Sequence, residues 1–413
     1  MITYYKMFGE DLSVYRELPV DIDTFIGDSQ YIGEFTKNGK RIYEFWRKEL
    51  WRMFNPENPN KYYQVVNATA IGCGKTQISL IAFTYTLYCY MCLANPNEFF
   101  TFNKDDIIAF ALVSMDNIYV DQLYACFMDI IKSSPWFKSH GVFNIKDTVK
   151  NPYYDDYPTY KPFGNIEIIR AYKEKHLFGV QLVCYNFQWL CDNYKGTDVI
   201  HLHSVCNARI RSRTTKGGKT YGRGIIDYEL SNNKINIQFL DLVKGYEDVL
   251  VVNDSQWHIK PFYTFDTSKF FGIAYDGTYG HTRIFDQDFI ENKNCSDMGS
   301  KYKIIEAPIN FLSIAKLDPD LFLLNIAGIQ LKKPEDHLTF MQAVDKLMTG
   351  DYAIMIENSN FYFAMNDNCE ILTYTINTNT RNYDHTTDIF NCESNITKYI
   401  YADNWIAIPN PIK

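Results

Sequence analysis

One stretch constrains this chain more than any other. It reads Gln64-Val65-Val66-Asn67-Ala68-Thr69-Ala70-Ile71-Gly72-Cys73-Gly74-Lys75-Thr76, and Gln77-Ile78-Ser79-Leu80-Ile81-Ala82-Phe83 follows it. A short apolar run enters a glycine-bearing turn and leaves it with helical spacing, so strand, tight turn and helix N-terminus are expected in that order. That order makes a phosphate cradle. Glycines let the backbone curl until its N–H groups converge, and the helix N-terminus favours an anion. Thr69, Gly72, Cys73, Gly74, Lys75 and Thr76 are the candidate nucleotide-binding residues. Lys75 is expected to reach the terminal phosphates, and the Thr76 hydroxyl to hold a magnesium ion. The full pattern has a further glycine where this chain has Thr69. A glycine turn that merely opens a helix is the plain alternative.

At 413 residues the chain has room for two domains, or for one large α/β domain with extensions. Its 46% of apolar residues suffice for a sizeable core. A net charge of −8 argues against a surface coated in positive charge for nucleic acid, while leaving room for a local basic strip. Met1 to Tyr15 carries Lys6, Glu10 and Asp11 among its apolar residues, so no signal pattern is legible there. The run Ile78 to Leu93 comes nearest to a membrane span, but it is short and interrupted by Ser79, Thr84 and Thr86; no membrane partner is expected. Ten cysteines lack framework spacing. Cys89 and Cys92 stand three apart with no second pair or nearby histidine to complete a zinc set, and free thiols are the expected reading.

Along the chain, Tyr43, Trp46, Leu50 and Phe54 recur at three- and four-residue steps, which predicts an amphipathic helix stopped by Asn55-Pro56. Such a helix either packs over a nucleotide base or covers one edge of the sheet. The helix after the cradle is expected to end near Leu93. Ile107 to Val113 is a continuous apolar run of strand length, and Ile118 to Ile131 is helical again. Alternating strand and helix implies right-handed crossovers and a mostly parallel α/β sheet flanked by helices. Asn151 to Phe163 reads as a loop; Asn165–Arg170 and Val180–Tyr185 read as strands; Val249–Val252 and Phe270–Tyr275 read as further strands or a hairpin.

Several separated segments together resemble the ATPase half of a tailed-phage terminase large subunit. Ala70 to Thr76 matches the phosphate loop of that family, its Walker A motif. Asp106–Ser114 with the helix ending Ile131-Lys132-Ser133-Ser134-Pro135-Trp136-Phe137 is similar to its second strand and helix. Asn207-Ala208-Arg209-Ile210-Arg211-Ser212-Arg213 is similar to an Arg-x-x-Ser-Arg segment, and Ser255 to Pro261 to a Trp-x-x-Lys-Pro element. Ala307-Pro308-Ile309-Asn310 and Ile326-Ala327-Gly328-Ile329 are similar to the segment that closes the ATPase half. The resemblance covers residues 30–345. It implies a RecA/terminase-like P-loop NTPase fold, ATP and Mg2+ as cofactors, and packaging of double-stranded viral DNA. It also implies a homo-oligomeric ring on a capsid portal, a small terminase subunit as partner, and work in the host-cell cytoplasm.

The chain departs from the family at its acidic motif. An apolar strand ending Asp-Glu should follow Leu177–Val180, and Val183-Cys184-Tyr185-Asn186-Phe187 stands there instead. The Asp would help hold magnesium and the Glu would orient the attacking water. Asp227 and Glu229, which end the run Gly224 to Ser231, can stand in, because alternation puts both on one strand face. Asp192 or Asp198 could also reach the site from a nearby loop. A non-hydrolysing, terminase-derived subunit that binds nucleotide or DNA is the other reading, and an unrelated helicase or small-molecule kinase a third. At the C-terminus, Tyr399 to Asp403 resembles the first strand and first aspartate of the family's RNase H-like nuclease domain, and Lys413 follows shortly. Nuclease activity is therefore not expected from this chain alone; a separate nuclease-bearing chain supplies it, or it is missing.

Arg209, Arg211, Arg213, Lys216, Lys219 and Arg223 concentrate positive charge among glycines. Alternating arginines on a strand-like stretch would present one charged face to DNA phosphates. Equally, Arg213 could reach a neighbouring subunit's nucleotide, or the run could simply face water. His201 and His203 are expected to alternate on a strand with His176 nearby, as ordinary core or surface histidines rather than metal ligands. The expected division is an N-terminal arm and helix over 1–55, a P-loop ATPase core over 56–265 and the rest of the ATPase half over 266–345. Residues 346–413 are expected to hold a linker and the first strand of a truncated nuclease domain.

Overall fold

The computed structural model describes residues 3–149, 157–189, 196–231, 234–260, 269–280, 282–285 and 303–332, with short stretches between 344 and 409. The chain forms two compact units: residues 1–276 with 282–331, and residues 277–281 with 332–413.

The first unit is built on six strands: β1 (Gln64–Asn67), β2 (Ile108–Val113), β3 (Ile166–Ala171), β4 (Gln181–Trp189), β5 (Arg223–Tyr228) and β6 (Val249–Val252). Their order across the sheet is β6-β1-β5-β4-β2-β3, and every neighbouring pair is parallel. All residues of β1, β2 and β5 are buried. Parallel strands covered on both faces need such continuous apolar sequence, which is why Ile108-Ala109-Phe110-Ala111-Leu112-Val113 shows no alternation.

Four helices matter for the site: α1 (Glu44–Met53), α2 (Lys75–Met91), α3 (Asn117–Ser133) and α4 (Gly196–Thr214). From Ile78 to Met91 every residue of α2 is buried, so this helix is a core element rather than an amphipathic cover. One face meets the sheet. Another is wrapped by the N-terminal arm, where the Tyr85 hydroxyl donates to the Val20 carbonyl at 2.7 Å and the Val20 amide donates to the Tyr88 hydroxyl at 3.0 Å. Rings from the arm and from α1's end, Tyr5, Phe25 and Phe54, pack edge-on or tilted against Tyr85. The aromatic excess of the sequence thus goes into tying the arm to the central helix. On the sheet's opposite face, His203 of α4 meets Tyr185 of β4 and Gln64 of β1.

Several expectations need correction. Arg209 to Arg213 and the pair His201 and His203 lie on α4, not on strands. Tyr157–Pro162, expected in a loop, is a strand paired antiparallel with Gly141–Val149. Phe270–Tyr275, by contrast, is a strand as expected, and it lies outside the parallel sheet, between Arg283–Phe285 and Lys303–Pro308 in a three-stranded antiparallel sheet.

The second unit contains a five-stranded antiparallel sheet, in the order Tyr383–His385, Ile371–Ile376, Phe361–Met365, Tyr352–Ile356, Trp405–Pro409. Among the described residues, 346–413 thus hold five strands, where a linker and one possible strand were expected. Alternations such as Ile371-Leu372-Thr373-Tyr374-Thr375-Ile376 carry β-branched and aromatic side chains and suit a strand. Asp403 lies outside the described residues.

Candidate nucleotide-binding site

β1 ends at Asn67, and the backbone turns through Ala68 to Gly74 before α2 begins at Lys75. Gly72 and Gly74 adopt φ of +69° and +84°, a region that side chains with a Cβ rarely occupy. Thr69 has no such need. Among the described residues, only Lys37, Asn38 and Thr101 take positive φ without being glycine, so a β-branched residue fits where the full pattern has glycine. The N-terminus of α2 has no side-chain cap, whereas α3 is capped by Asp116, which accepts from the Ile118 amide at 2.7 Å. Uncapped amides beneath a curled loop are suited to a phosphate.

Lys75 folds back across the loop, its Nζ donating to the Thr69 carbonyl at 2.8 Å. The Thr76 hydroxyl donates to Asp227 Oδ2. Asp227 is 1% exposed, and its Oδ1 has no hydrogen-bond partner. Burial pushes this carboxyl above the usual carboxylate range, opposed by the Lys75 ammonium, the Thr76 hydroxyl and the Gln188 amide. The sheet register explains the meeting: Asn67 on β1, Asp227 on β5 and Gln188 on β4 stand level across three adjacent strands. A cavity of about 720 Å³ adjoins them, lined among others by Gly72, Gly74, Lys75, Thr76, Gln188, Asp227 and Glu229.

The register also moves the expected acidic position. β4 runs on to Trp189, so its loop-proximal residue is Gln188, beyond the Tyr185-Asn186 pair. Tyr185 faces away from the loop, towards His203, and Asn186 is wholly buried with neither amide atom paired. Of the alternative acids, Asp227 and Glu229 line the cavity; Asp198 is exposed on the first turn of α4, and Asp192 lies outside the described residues.

The loop is braced by residues to which the sequence assigned no part in it. Trp46 of α1 donates its Nε1 to the Cys73 carbonyl at 2.6 Å. The Ala70 amide donates to the Asp254 carbonyl at 3.2 Å, and the Ile71 amide to the Asn325 carbonyl at 2.8 Å. Gln256 Nε2 donates to the Ile71 carbonyl at 3.1 Å. The Trp in the three- and four-residue repeat of α1 was the one available signal for its part.

The basic segment lies elsewhere. Gly222 donates its amide to Thr214 Oγ1 at 2.9 Å, so the end of α4 meets the start of β5. Gly224, near that start, stands level with Gln64, whereas the loop follows Asn67. Arg209 to Lys219 therefore sit at the end of the sheet away from Lys75 and Thr76. Arg209 lies over the Phe178 ring, Arg211 lies over Tyr63 and 3.8 Å from Asp248, and Lys216 Nζ donates to the Phe99 carbonyl at 2.9 Å. Arg213 and Lys219 are exposed. Arg223, expected on a DNA-facing strip, is 1% exposed and donates to the carbonyls of Met53 and Pro59 at 3.0 and 3.2 Å over the Phe54 ring. It ties β5 to the end of α1, and no DNA phosphate can reach it there.

A parallel sheet whose strand hands its C-terminal end to a glycine turn, Lys-Thr and a buried helix defines a P-loop NTPase fold. The chain belongs to the family described as "Uncharacterized protein MJ0330, N-terminal P-loop domain", whose model matches residues 3–269. No curated protein matches the sequence. Among solved structures, the chain is similar to the HK97 bacteriophage large terminase at 11% identity and a TM-score of 0.43, over 85% of this chain and 66% of that one, just under two thirds of its length. It is similar to a large terminase from a thermophilic bacteriophage at 10% identity and a TM-score of 0.35, over 81% of this chain and 68% of that one. It is also similar to the large terminase ATPase domain of Thermus phage P74-26 at 10% identity and a TM-score of 0.33, over 48% of this chain and 78% of that one. Among the described residues, no helix is long and apolar enough to cross a membrane.

Proposed function

We propose that this chain is a magnesium-dependent ATPase that drives double-stranded viral DNA into procapsids. The observation that carries the ATPase part is the Thr76 hydroxyl held by a buried Asp227 whose second oxygen has no partner, directly beneath an uncapped phosphate loop. Two hard oxygen donors in that position fit Mg2+, which takes few protein ligands and keeps water and phosphate oxygens for the rest. When bound, the ion would neutralise charge on the transferring phosphoryl group. Lys75 exchanges the Thr69 carbonyl for phosphate oxygens. Glu229, on the same cavity wall, orients the attacking water and accepts its proton. Arg213, exposed and far from its own loop, would act on a neighbouring subunit's nucleotide or, with Lys219, on DNA.

The DNA part rests on the ordered segments from Ala70 to Ile329 that resemble terminases, and on the basic end of the sheet. A ring on a portal and a small terminase subunit belong to this reading, as does action in the host-cell cytoplasm. Phosphate release from Mg-ATP, stimulated by double-stranded DNA and abolished in Lys75→Ala, tests it; release that survives Lys75→Ala overturns it. One observation favours a second reading, a subunit that binds nucleotide without hydrolysing it: Gln188, not a carboxylate, stands on β4 level with Asp227. Tight Mg-ATP binding without phosphate release would select that reading.

A further inference from the structure

We propose that Lys260, which stands beside Gly72 of the loop, is a second phosphate-binding cation of the nucleotide site. The inference rests on the phosphate-loop reading above and deepens it.

Lys260 follows the short helix Gln256–Ile259, which comes after β6. Its Nζ stands 3.6 Å from the point that a Cβ on Gly72 would occupy, and Gln256 Nε2 stands 3.8 Å from the same point. Gly72, at positive φ, makes the turn, and the Lys260 ammonium stands at contact distance from it. Lysine is among the residues least often buried, yet Lys260 is only 8% exposed. Its position is fixed from several directions. Ile259 is fully buried in the core, the Gln256 amide donates to the Ile326 carbonyl at 2.8 Å, and the Trp257 ring stacks on Phe322.

The electrostatics agree. Burial pushes the Cys73 thiol, in the middle of the loop, up to about 11; Lys260 opposes that shift more strongly than Lys75 does. Two cations thus stand at the loop: Lys75 through its bond to the Thr69 carbonyl, and Lys260 beside Gly72. A polyphosphate lying along the loop amides would meet both charges, and the contribution of Lys260 should persist in a diphosphate.

The test compares Mg-ATP and Mg-ADP binding to the wild-type chain, Lys260→Met and Lys260→Arg by calorimetric titration at two salt concentrations. The expected result is affinity about tenfold weaker in Lys260→Met for both nucleotides, with a shallower salt dependence, and near-wild-type affinity in Lys260→Arg. Wild-type affinity in Lys260→Met, or equal losses in Met and Arg variants, overturns the inference. Should Lys260→Met fail to fold, acetylation of Lys260 in the wild-type chain replaces it: ATP must slow labelling there, and unchanged labelling overturns the inference. A wild-type chain that binds neither nucleotide overturns the phosphate-loop reading as well, whereas binding that ignores Lys260 overturns this inference alone.

Discussion

Thr76, the first hydroxyl of α2, donates its hydrogen bond to Asp227, a carboxylate 151 positions later on the strand beside β1. Parallel pairing of β1 with β5 sets Asp227 level with Asn67, so the acid arrives at the loop from the adjacent strand and not from β4. A hydroxyl, a carboxylate and a lysine from two segments far apart in sequence converge under one turn.

This placement gives Asp227→Asn two opposite effects. Magnesium-dependent phosphate release should fall by on the order of 100-fold or more, since the variant loses the charge nearest the metal position. Stability without nucleotide should rise. Burial lifts the Asp227 carboxyl above its unfolded value, so folding takes up a proton and stability declines as pH rises through the window between the two. Above that window the full penalty remains, and asparagine removes it. Chemical denaturation at neutral pH without nucleotide, paired with a phosphate-release assay, measures both; a destabilised Asp227→Asn chain contradicts the account.

Thr69 is the position where the loop departs from the full glycine pattern, and its hydroxyl is buried without a partner. A buried hydroxyl that makes no hydrogen bond costs about 1–3 kcal/mol. Thr69→Val keeps the shape, the β-branch and the carbonyl that accepts from Lys75. It should hold or raise stability by about 1 kcal/mol and leave ATP affinity unchanged. Thr69→Gly, which restores the full pattern, should gain no affinity, because the backbone here needs no positive φ. A Thr69→Gly chain that binds ATP several-fold tighter would show that the side chain obstructs the phosphates.

How much of this was legible depends on whether local sequence or long-range register decides. Gln64 to Thr76 announced strand, loop and helix because the glycines and the Lys-Thr pair are local requirements. Asp227 and Glu229 were legible as a pair because alternation is local too. Gln188 was not: the apolar run Leu182 to Phe187 carries no mark of where β4 stops relative to its neighbours. That register comes from packing, with the Tyr185 ring occupying the space a Cβ on Gly224 would take. Arginines at every second position made 209–213 look extended. The helical signal lay in Val199, Leu202, Cys206 and Ile210, buried at three- and four-residue steps over a longer window. Lys260 stood in the sequence only as the lysine of the Trp-x-x-Lys-Pro element, and only the folded chain brings it to Gly72.

Arg223 and Arg213 should separate a structural arginine from a surface one. Removing the Arg223 guanidinium takes the donor from the Met53 carbonyl, leaves the Pro59 carbonyl with the Tyr5 hydroxyl alone, and opens a gap over Phe54. Arg223→Ala should lose about 3–5 kcal/mol of stability. Arg213 is exposed, and Arg213→Ala should change stability by less than about 0.5 kcal/mol. If the basic end of the sheet contacts DNA through Arg213, that variant should reduce the salt slope of binding by about 1. Denaturant melts and a salt series of DNA titrations read the two effects independently. An Arg223→Ala chain of wild-type stability would be incompatible with its burial.

Acid sensitivity should centre on His203, which is 6% exposed among Tyr185, Trp189 and Phe239 and lies 2.8 Å from the Gln64 amide nitrogen. Burial pushes its imidazole down to about 4. The folded-state value lies below the unfolded one of about 6.5, so the unfolded chain binds the extra proton between them. Stability from this group is fully present above pH 6.5 or so and is lost as pH falls towards about 4, by about 3 kcal/mol in all. Denaturation midpoints measured from pH 7 to pH 4 should fall along that window. In His203→Gln, which cannot titrate, the fall should be shallower by a similar amount. An identical pH profile in the two chains would place the acid-labile group elsewhere.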